Sequence, residues 1–375
     1  MNIASKTKNE WTIQYQRKIS YRIIKNEKIF DPQNKTLLLG GNGKGSKRFV
    51  VVDDFIYKAY KNEVKRYFYQ NKVEAKILSF EGGEKNKNYK GFTRIFKALD
   101  DFQVNRRSEP IIAIGGGVVT DVVGYIASSY RRGIPHIKVP TTLMGYVDAS
   151  VGIKTGINFS KGKNRMGSFE APKLVILDKT FLKTLPKRHI INGIGEILKL
   201  AVIKEIRLLE LLEKEGINLI NSSFQNNEEK VLDLSISAMI EELEPNLFET
   251  ELCRSVDFGH TFSLILEMDE ANNLLHGEAV AIDVGFSTVL AHQRNLITTK
   301  ERDRVFSLMK KLELPYQHPS LKPDLLWEGV VERTYHRDGY QRIPLPASLG
   351  KCTFIDDLSK DELKQAKIQS TEIIE

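Results

Sequence analysis

Short apolar runs alternate with amphipathic stretches through the first half of the chain. The runs are rich in Val and Ile and most end in Gly, Asp or Thr, which is typical of strands buried on both faces; they cover residues 48–54, 75–80, 110–117, 136–142 and 173–178. Residues 88–102 and 118–130, which lie between such runs, have helical spacing. Strand–helix–strand units of this kind predict a mostly parallel, Rossmann-like sheet.

The two ends of the chain follow different patterns. Residues 11–30 alternate apolar and polar side chains with a period near two, which predicts an antiparallel hairpin added to that sheet. Beyond residue 186 the pattern changes to long helical runs, the first covering residues 191–216, with few strand signals. A chain of 375 residues can form two separate cores. We therefore expect an α/β plus α fold, with an α/β domain at residues 1–186 and an all-helical domain at residues 187–375.

The composition, 41% hydrophobic and 28% charged, is that of an ordinary globular protein. The net charge of +8 could indicate nucleic-acid binding, but the lysines are spread along the chain, so we expect no nucleic-acid partner. Cys253 and Cys352 are the only cysteines, and there is no signal-peptide pattern, which favours the reducing cytoplasm. Since no apolar run approaches the ~18 residues of a membrane span, we expect no membrane partner.

A glycine turn follows the third of the predicted sheet strands. In "IIAIGGGVVTDVVGYIA", Gly115, Gly116 and Gly117 join a strand to a helix, where backbone amides can approach a pyrophosphate. The motif lacks full GxGxxG spacing, so a tight turn without a ligand remains an alternative. Asp53, at the end of an earlier strand, could accept ribose hydroxyls or simply cap the next helix.

Two groups of side chains suggest chemistry. Glu196, His260 and His276 border apolar helical runs, and a carboxylate with two imidazoles suits Zn²⁺ or Co²⁺ while leaving coordination positions open. Core or capping roles for the histidines remain open. The stretch "VPTTLMGYVDASVGIKTGINFSKGKNRMGSF" carries donors suited to phosphate and hydroxyl groups, among them Lys154 and Lys163, although a solvated loop is the alternative.

Six motifs, in order along nearly the whole chain, resemble the sugar phosphate cyclases, the family of dehydroquinate synthase. They are "GGEKNK", "GGGVVTDVVGYIASSYRRG", the cationic stretch quoted above, "NGIGEILK", "DFGHTFS" and "HGEAVAID". The resemblance implies an NAD-binding domain, a helical metal-binding domain and a homodimer. It also implies that Glu196, His260 and His276 bind a divalent metal, Zn²⁺ or Co²⁺.

Matching positions carry the family's other roles onto this sequence. The resemblance implies that Lys154, Lys163 and Asn164 hold a sugar phosphate, helped by Arg132 from across the dimer interface. Asp148 would orient the sugar phosphate or the cofactor, and Lys199 would act near the metal. The implied NAD-binding residues are Asp53, Glu84, Lys87, Gly115, Gly116, Gly117, Asp121, Thr141, Thr142, Lys154 and Lys163.

Departures from the dehydroquinate synthase pattern concern the substrate. Asp257 stands where those enzymes have Asn, and Leu264 stands where they have a second His. The upstream Lys and Arg expected near a substrate carboxylate appear here as Met239 and Cys253. A buried carboxylate without charged partners is costly, so we expect an uncarboxylated substrate, and the resemblance favours sedoheptulose 7-phosphate.

Asp283 and His336 are candidates for binding the polyol end of that sugar, because hydroxyls pair with both side-chain types. A buried cap and a surface loop residue are their respective alternatives. More than one family branch acts on this sugar, and dehydroquinate synthase itself remains a further alternative. Outside the family, an NAD- and metal-dependent alcohol dehydrogenase or an inactive binding protein are the other possibilities.

Overall fold

The computed structural model describes residues 5–7, 9–41, 46–160, 162–268 and 272–372. The first half contains ten strands and three α-helices within these ranges: β1 Ser5–Thr7, β2 Glu10–Thr12, β3 Arg22–Lys25, β4 Lys47–Asp53, α1 Asp54–Gln70, β5 Glu74–Phe80, α2 Tyr89–Phe102, β6 Ile111–Gly115, α3 Gly117–Ser129, β7 His136–Pro140, β8 Lys154–Phe159, β9 Gly162–Phe169 and β10 Leu174–Leu177. The five sheet strands and two helices predicted from the apolar pattern are all present.

Six of these strands form one parallel sheet in the order β3-β10-β7-β6-β4-β5. Alternate residues of β4 face opposite cores: Val50 and Val52 pack with α1, whereas Phe49 and Val51 pack with α2 and α3. Both faces of the sheet are therefore buried, which explains the continuous apolar runs. The predicted Rossmann-like sheet is therefore confirmed.

The second half is helical within the described ranges, apart from one hairpin. Its elements are α4 Lys187–Ile203, α5 Ile206–Asn221, α6 Glu229–Leu243, α7 Ser263–Met268, α8 His276–Gln293, α9 Thr299–Lys311, α10 Pro323–Tyr335, β11 Ile343–Ser348, β12 Lys351–Ile355 and α11 Lys360–Glu372. No helix in the described part of the chain has both the length and the hydropathy needed to cross a bilayer. The division at residue 186 stays a prediction, although α4 begins at Lys187.

Three sequence expectations need correction. Residues 11–30 do not form a hairpin on the sheet: β1 pairs with β2 separately, and β3 joins the sheet in parallel beside β10. The helical run at 191–216 is two helices, because the chain turns at Lys204, where the backbone leaves the helical region. The antiparallel pair β11–β12 interrupts the helical half that was expected to contain no strands.

One apolar core joins the two halves. It contains Leu143, Tyr146 and Val147 from the segment after β7, together with residues of α4, α5, α6 and α8. The carboxyl edge of the sheet is thereby held against α4. This contact positions the functional side chains described next.

Candidate active site

The carboxyl ends of β4, β6 and β7 lie side by side, as they must in a parallel sheet. They carry Asp53, the Gly115–Gly117 turn, and Thr141 with Thr142. The Thr141 amide donates to the Gly115 carbonyl at 3.0 Å, and the Thr142 hydroxyl accepts from the Gly145 amide at 3.1 Å. The structure thus gathers most of the predicted cofactor-binding residues at one edge.

Close packing requires glycine in the turn after β6. A Cβ on Gly115 would lie 2.6 Å from Val119 Cγ2, and one on Gly116 would lie 3.1 Å from Thr142 Cγ2. Gly116 precedes the first turn of α3 without a side-chain cap, so backbone amides are presented at this edge. Such a turn can accept a pyrophosphate.

Asp53 takes the capping role that was its alternative. Its Oδ1 accepts from the Phe55 amide at 3.0 Å, at the start of α1. Burial raises the pKa of this carboxyl. Its Oδ2 would lie only 2.4 Å from a Cβ on Gly82, so glycine keeps the space beside it clear. The ribose-binding role stays a prediction, and capping does not exclude it.

The hairpin β8–β9 packs on the turn after β5. The Asn158 side chain donates to Glu84 Oε1 at 2.8 Å, and its backbone amide donates to the Lys87 carbonyl at 2.7 Å. Lys87 is buried and pairs with Asp121 at 2.6 Å. Glu84 and Lys87 of the "GGEKNK" motif and Asp121 of the glycine-rich motif therefore lie in one connected group.

The predicted metal ligands come together from three segments. Glu196 lies in α4, His260 precedes α7, and His276 is the first residue of α8. Glu196 Oε1 is 3.0 Å from His276 Nε2 and 3.6 Å from His260 Nε2. One ligand atom from each residue lies within 4.8 Å of the others. This donor set and spacing suit a divalent transition metal with open coordination positions.

Close contact between α4 and α8 brings the ligands together. A Cβ on Gly195 would lie 2.2 Å from the Gly277 carbonyl oxygen, so the two backbones can approach only with glycine there. The Asn192 side chain accepts from the Gly277 amide at 2.7 Å. Each contact glycine is adjacent in sequence to a metal-ligand candidate, Glu196 or His276. The close packing of α4 against α8 therefore explains the glycines of the "NGIGE" and "HGE" motifs.

The surroundings of His260 and Glu196 keep these two residues in the forms that bind metal. Burial lowers the pKa of His260 to about 4, which keeps the imidazole neutral near pH 7. Its Nδ1 lies 3.2 Å from the Phe258 carbonyl, an arrangement that leaves Nε2 free to coordinate. Burial alone would raise the pKa of Glu196, but Lys199 and the two imidazoles hold it well below its usual range. A neutral imidazole and an ionised carboxylate are the forms that bind metal.

Glu267 on α7 contacts two of the predicted site residues, and sequence reasoning missed it. Its side chain is 5% exposed, and Oε1 lies 3.1 Å from His276 Nδ1. Its Oε2 lies 2.6 Å from Lys163 Nζ on β9. A carboxylate on the far nitrogen of a metal-binding imidazole orients the ring. The signal available in the sequence was an acidic residue at the end of the apolar run "SLIL".

Lys199 and Asp148 lie beside the metal ligands. Lys199, one helical turn after Glu196, has its Nζ 2.6 Å from Glu196 Oε2 and 3.8 Å from Asp148 Oδ1. Asp148 belongs to the turn Gly145–Ala149. Burial, reinforced by the charge of Glu196, raises the pKa of Asp148. Lys199 therefore lies next to a predicted metal ligand, and Asp148 lies close to Lys199. The roles expected of both residues stay predictions.

Lys154 lies in a charged cluster that sequence analysis did not foresee. Its Nζ is 2.6 Å from Glu249 Oε1, and Arg254 contacts the same oxygen. Arg254 also pairs with Asp257, which is further bound by two arginines of the C-terminal half, Arg333 and Arg337. Burial alone would raise the pKa of Asp257, but the three guanidinium groups together hold it well below its usual range.

This cluster refines the expectation about substrate carboxylates. Met239 is buried and Cys253 is exposed. Neither side chain carries a positive charge. However, Arg254, next to Cys253, brings a guanidinium to this region. Loss of the upstream Lys and Arg therefore does not leave the region without positive charge.

Four predicted site residues remain to be placed: Asn164, Arg132, Asp283 and His336. Asn164 and Arg132 are exposed, both with left-handed backbones, at φ 52° and 61° respectively. Asp283 is fully buried, and it accepts hydrogen bonds from the Ser263 amide and the Ser287 hydroxyl, each at 2.9 Å. Burial raises its pKa to about 6. The side chain of His336 is 57% exposed, and its Nε2 lies 3.8 Å from a Glu332 carboxylate oxygen.

Asp283 and His336 therefore match their alternative interpretations. Asp283 holds the start of α7 in place from inside the helical core, and His336 follows α10 at the surface. Their predicted role in binding the polyol end stays a prediction.

The site combines a sheet edge of the kind that binds nucleotides with a Glu–His–His centre, and a cationic hairpin joins the two. Together these features define a class of two-part enzymes that combine a dinucleotide with a divalent metal. The family models described as 3-dehydroquinate synthase N-terminal and C-terminal match residues 77–192 and 193–333. The chain belongs to the 3-dehydroquinate synthase family of sugar phosphate cyclases.

Individual relatives are more specific. The chain is 46% identical to a 2-epi-5-epi-valiolone synthase of Streptomyces albus, over 95% of this chain and 89% of the relative. It is 37% identical to a demethyl-4-deoxygadusol synthase of Trichormus variabilis, over 95% of this chain and 88% of the relative. The solved structure of the 2-epi-5-epi-valiolone synthase ValA from Streptomyces hygroscopicus subsp. jinggangensis, with NAD⁺ and Zn²⁺ bound, superposes with a TM-score of 0.93 at 38% identity, covering 96% of this chain and 99% of that one.

Proposed function

We propose that this protein converts sedoheptulose 7-phosphate into 2-epi-5-epi-valiolone and inorganic phosphate. The observation that carries the proposal is the link from Lys163 through Glu267 to His276. This link holds a cation suited to a sugar phosphate at a fixed position beside the metal ligands. The relatives named above support the particular substrate and product.

The residues present fit both groups that such a reaction requires. Glu196, His260 and His276 would hold Zn²⁺ or Co²⁺, and the fit rests on their spacing and on the neutral state of His260. The glycine turn at Gly115–Gly117, with Asp53 and the Lys87–Asp121 pair, would hold NAD⁺. When bound, NAD⁺ would take and return one hydride, and the metal would polarise the substrate's oxygen atoms.

The chain's own residues would bind the substrate and move protons. Lys163 is placed to neutralise the phosphate, and Lys154 is placed to bind another part of the same sugar. Lys199 and Asp148 lie 3.8 Å apart beside Glu196, where they can hold or pass a proton to the reacting oxygen. The burial of Glu196 and Lys199 keeps water from these groups, which strengthens their electrostatic effect.

The proposed reaction balances without net oxidation. A secondary hydroxyl is oxidised transiently, and the adjacent C–H bond then loses its proton while the C–O bond to phosphate breaks. The hydride returns to the carbonyl carbon, the ring opens, and an intramolecular aldol step forms the new C–C bond. The product is the substrate less one phosphoric acid. We further propose that the enzyme acts in the cytoplasm as a homodimer.

Product identification tests this proposal. The purified protein is incubated with sedoheptulose 7-phosphate, Zn²⁺ and an amount of NAD⁺ far below that of the substrate. We expect one phosphate released per sugar consumed, 2-epi-5-epi-valiolone by NMR and mass spectrometry, and no accumulation of NADH. Demethyl-4-deoxygadusol as product would assign the chain to that branch. Reduction of all the added NAD⁺ to NADH, with the reaction then stopping, would indicate an alcohol dehydrogenase. Conversion of 3-deoxy-arabino-heptulosonate 7-phosphate would indicate a dehydroquinate synthase.

A further inference from the structure

We propose that Glu249 determines substrate specificity, because its carboxylate occupies the two cations, Lys154 and Arg254, that a substrate carboxylate would otherwise bind. The inference rests on the proposed function and concerns the same site. It explains how a site rich in cations can reject a carboxylated sugar phosphate.

The contacts of Glu249 support this role. Its Oε1 lies 2.6 Å from Lys154 Nζ, and an Arg254 guanidinium nitrogen contacts the same oxygen. The Glu249 side chain is 18% exposed, whereas that of Lys154 is 61% exposed. Glu249 is therefore the more buried member of the pair. An incoming carboxylate would meet two cations, Lys154 and Arg254, that already contact the carboxylate of Glu249.

The loop that carries Glu249 is built to hold this position. The Asn246 side chain makes two hydrogen bonds to the backbone of Glu251: its Oδ1 accepts from the amide at 3.0 Å, and its Nδ2 donates to the carbonyl at 2.7 Å. Glu249 itself has φ 55°, in the left-handed region that non-glycine residues rarely adopt. Such a conformation persists when the surrounding structure fixes it, and here it places a carboxylate on Lys154.

The charges of the cluster indicate what it accepts. Four cations, Lys154, Arg254, Arg333 and Arg337, face two carboxylates, Glu249 and Asp257. Asp257 engages Arg333 and Arg337, so at Lys154 and Arg254 a substrate carboxylate would meet the like charge of Glu249. A hydroxyl, in contrast, can donate to Glu249 and accept from Lys154. The cluster therefore favours a polyol end over an acid end.

The test compares Glu249→Gln with Glu251→Gln, a matched loss of charge at an exposed position of the same loop. The probe is 3-deoxy-arabino-heptulosonate 7-phosphate, with binding measured by calorimetry and inhibition measured against sedoheptulose 7-phosphate. We expect Glu249→Gln to bind the acid at least about tenfold more tightly, because like-charge repulsion is removed. The KM for sedoheptulose 7-phosphate should rise. Glu251→Gln should match the wild type in both measurements.

A double variant identifies the cation responsible. Glu249→Gln combined with Arg254→Gln should lose the gain in acid binding, because the freed guanidinium is gone. Melting temperature and NAD⁺ binding check that each variant is folded, and Glu249→Ala replaces Glu249→Gln if the latter does not fold. Unchanged acid binding in a folded Glu249 variant would overturn the inference. Failure of the wild type to turn over sedoheptulose 7-phosphate would instead overturn the proposed function, since calorimetry tests Glu249 without turnover.

Discussion

His260 shows how a single residue is prepared for metal binding. Its partly buried imidazole is neutral, and Nε2 lies 3.6 Å from a Glu196 carboxylate oxygen. We expect His260→Ala to lower zinc affinity more than about 100-fold, since loss of even an outer hydrogen bond to a metal ligand costs 10- to 100-fold. Zinc content after dialysis against a graded chelator measures this effect. His318→Ala, at a partly exposed position, is the control. One tightly held zinc per chain in His260→Ala would contradict the assignment of this ligand.

His136 on β7 is a residue whose protonation affects folding. It is fully buried, and neither ring nitrogen has a hydrogen-bond partner within the described ranges. Burial, with the nearby charge of Lys138, lowers its pKa to about 3, whereas the unfolded value is near 6.5. The unfolded state therefore binds the proton first, and stability falls as pH decreases from 6.5 towards 3.

The substitution His136→Phe should remove this acid sensitivity. Between pH 7 and pH 5 the wild type should lose about 2 kcal/mol of unfolding free energy through this group, at ~1.4 kcal/mol per pH unit below 6.5. Over the same pH range the unfolding free energy of the variant should fall less than that of the wild type, and the difference should equal the contribution of His136. Urea unfolding at both pH values measures the difference. Parallel pH dependence in the two proteins would show that His136 is accessible to protons in the folded state.

Sequence reasoning found the site residues that belong to motifs. It missed those that only their contacts in the folded structure reveal. Glu196, His260 and His276 were identified because their motifs stand in order along the chain. Glu249 and Glu267 were missed because their contacts come from segments distant in sequence. Asp283 is fully buried and holds the start of α7, and its predicted role towards the sugar stays a prediction.

At the scale of elements, Glu267 makes α7 a connector between the β8–β9 hairpin and α8. Glu267→Gln keeps the shape of the side chain but removes the charge shared by His276 and Lys163. We expect zinc affinity to fall 10- to 100-fold, and kcat to fall more than KM rises. Competition with a chelator gives the affinity, and steady-state kinetics give the split.

Glu332→Gln is a matched control for Glu267→Gln. Glu332 on α10 pairs with Arg165 of the same hairpin at 2.7 Å, but both side chains are about half exposed. An exposed pair of this kind contributes only about 0–1 kcal/mol. The control should therefore leave zinc affinity unchanged. If both substitutions lowered zinc affinity equally, an ion pair that holds the hairpin in place would be sufficient, and Glu267 would have no special role towards His276.

Strands were predicted correctly where burial on both faces made the apolar runs continuous, as in β4 and β6. The interpretation of residues 11–30 was wrong because a period-two pattern gives the faces of a strand and not its partner. β3 pairs with β10, far along the chain, and a local pattern carries no information about such a neighbour. The β11–β12 hairpin was missed because Pro344 and Pro346 argue against a strand.

At the scale of the whole molecule, Arg132 tests the proposed dimer. It is exposed after α3 and forms no ion pair within the described part of the chain. If it completes the partner's site, inactive Arg132→Ala and Lys154→Ala chains should regain activity on mixing. Random hybrids with one intact site should give about a quarter of wild-type activity when the chains are equimolar and exchange freely, a consequence of C2 symmetry. Verified heterodimers without activity would place Arg132 outside the partner's site.

The position of β3 at the edge of the sheet has a consequence for synthesis in the cell. Its partner β10 leaves the ribosome about 150 residues later, which takes on the order of 10 s at usual translation rates. During that time Ile23 and Ile24 have no strand to pair with, so chaperones have access to them. A shortened gene that omits the first 25 codons would leave the β10 edge open to other chains. Expression designs should therefore keep this segment and place affinity tags upstream of it.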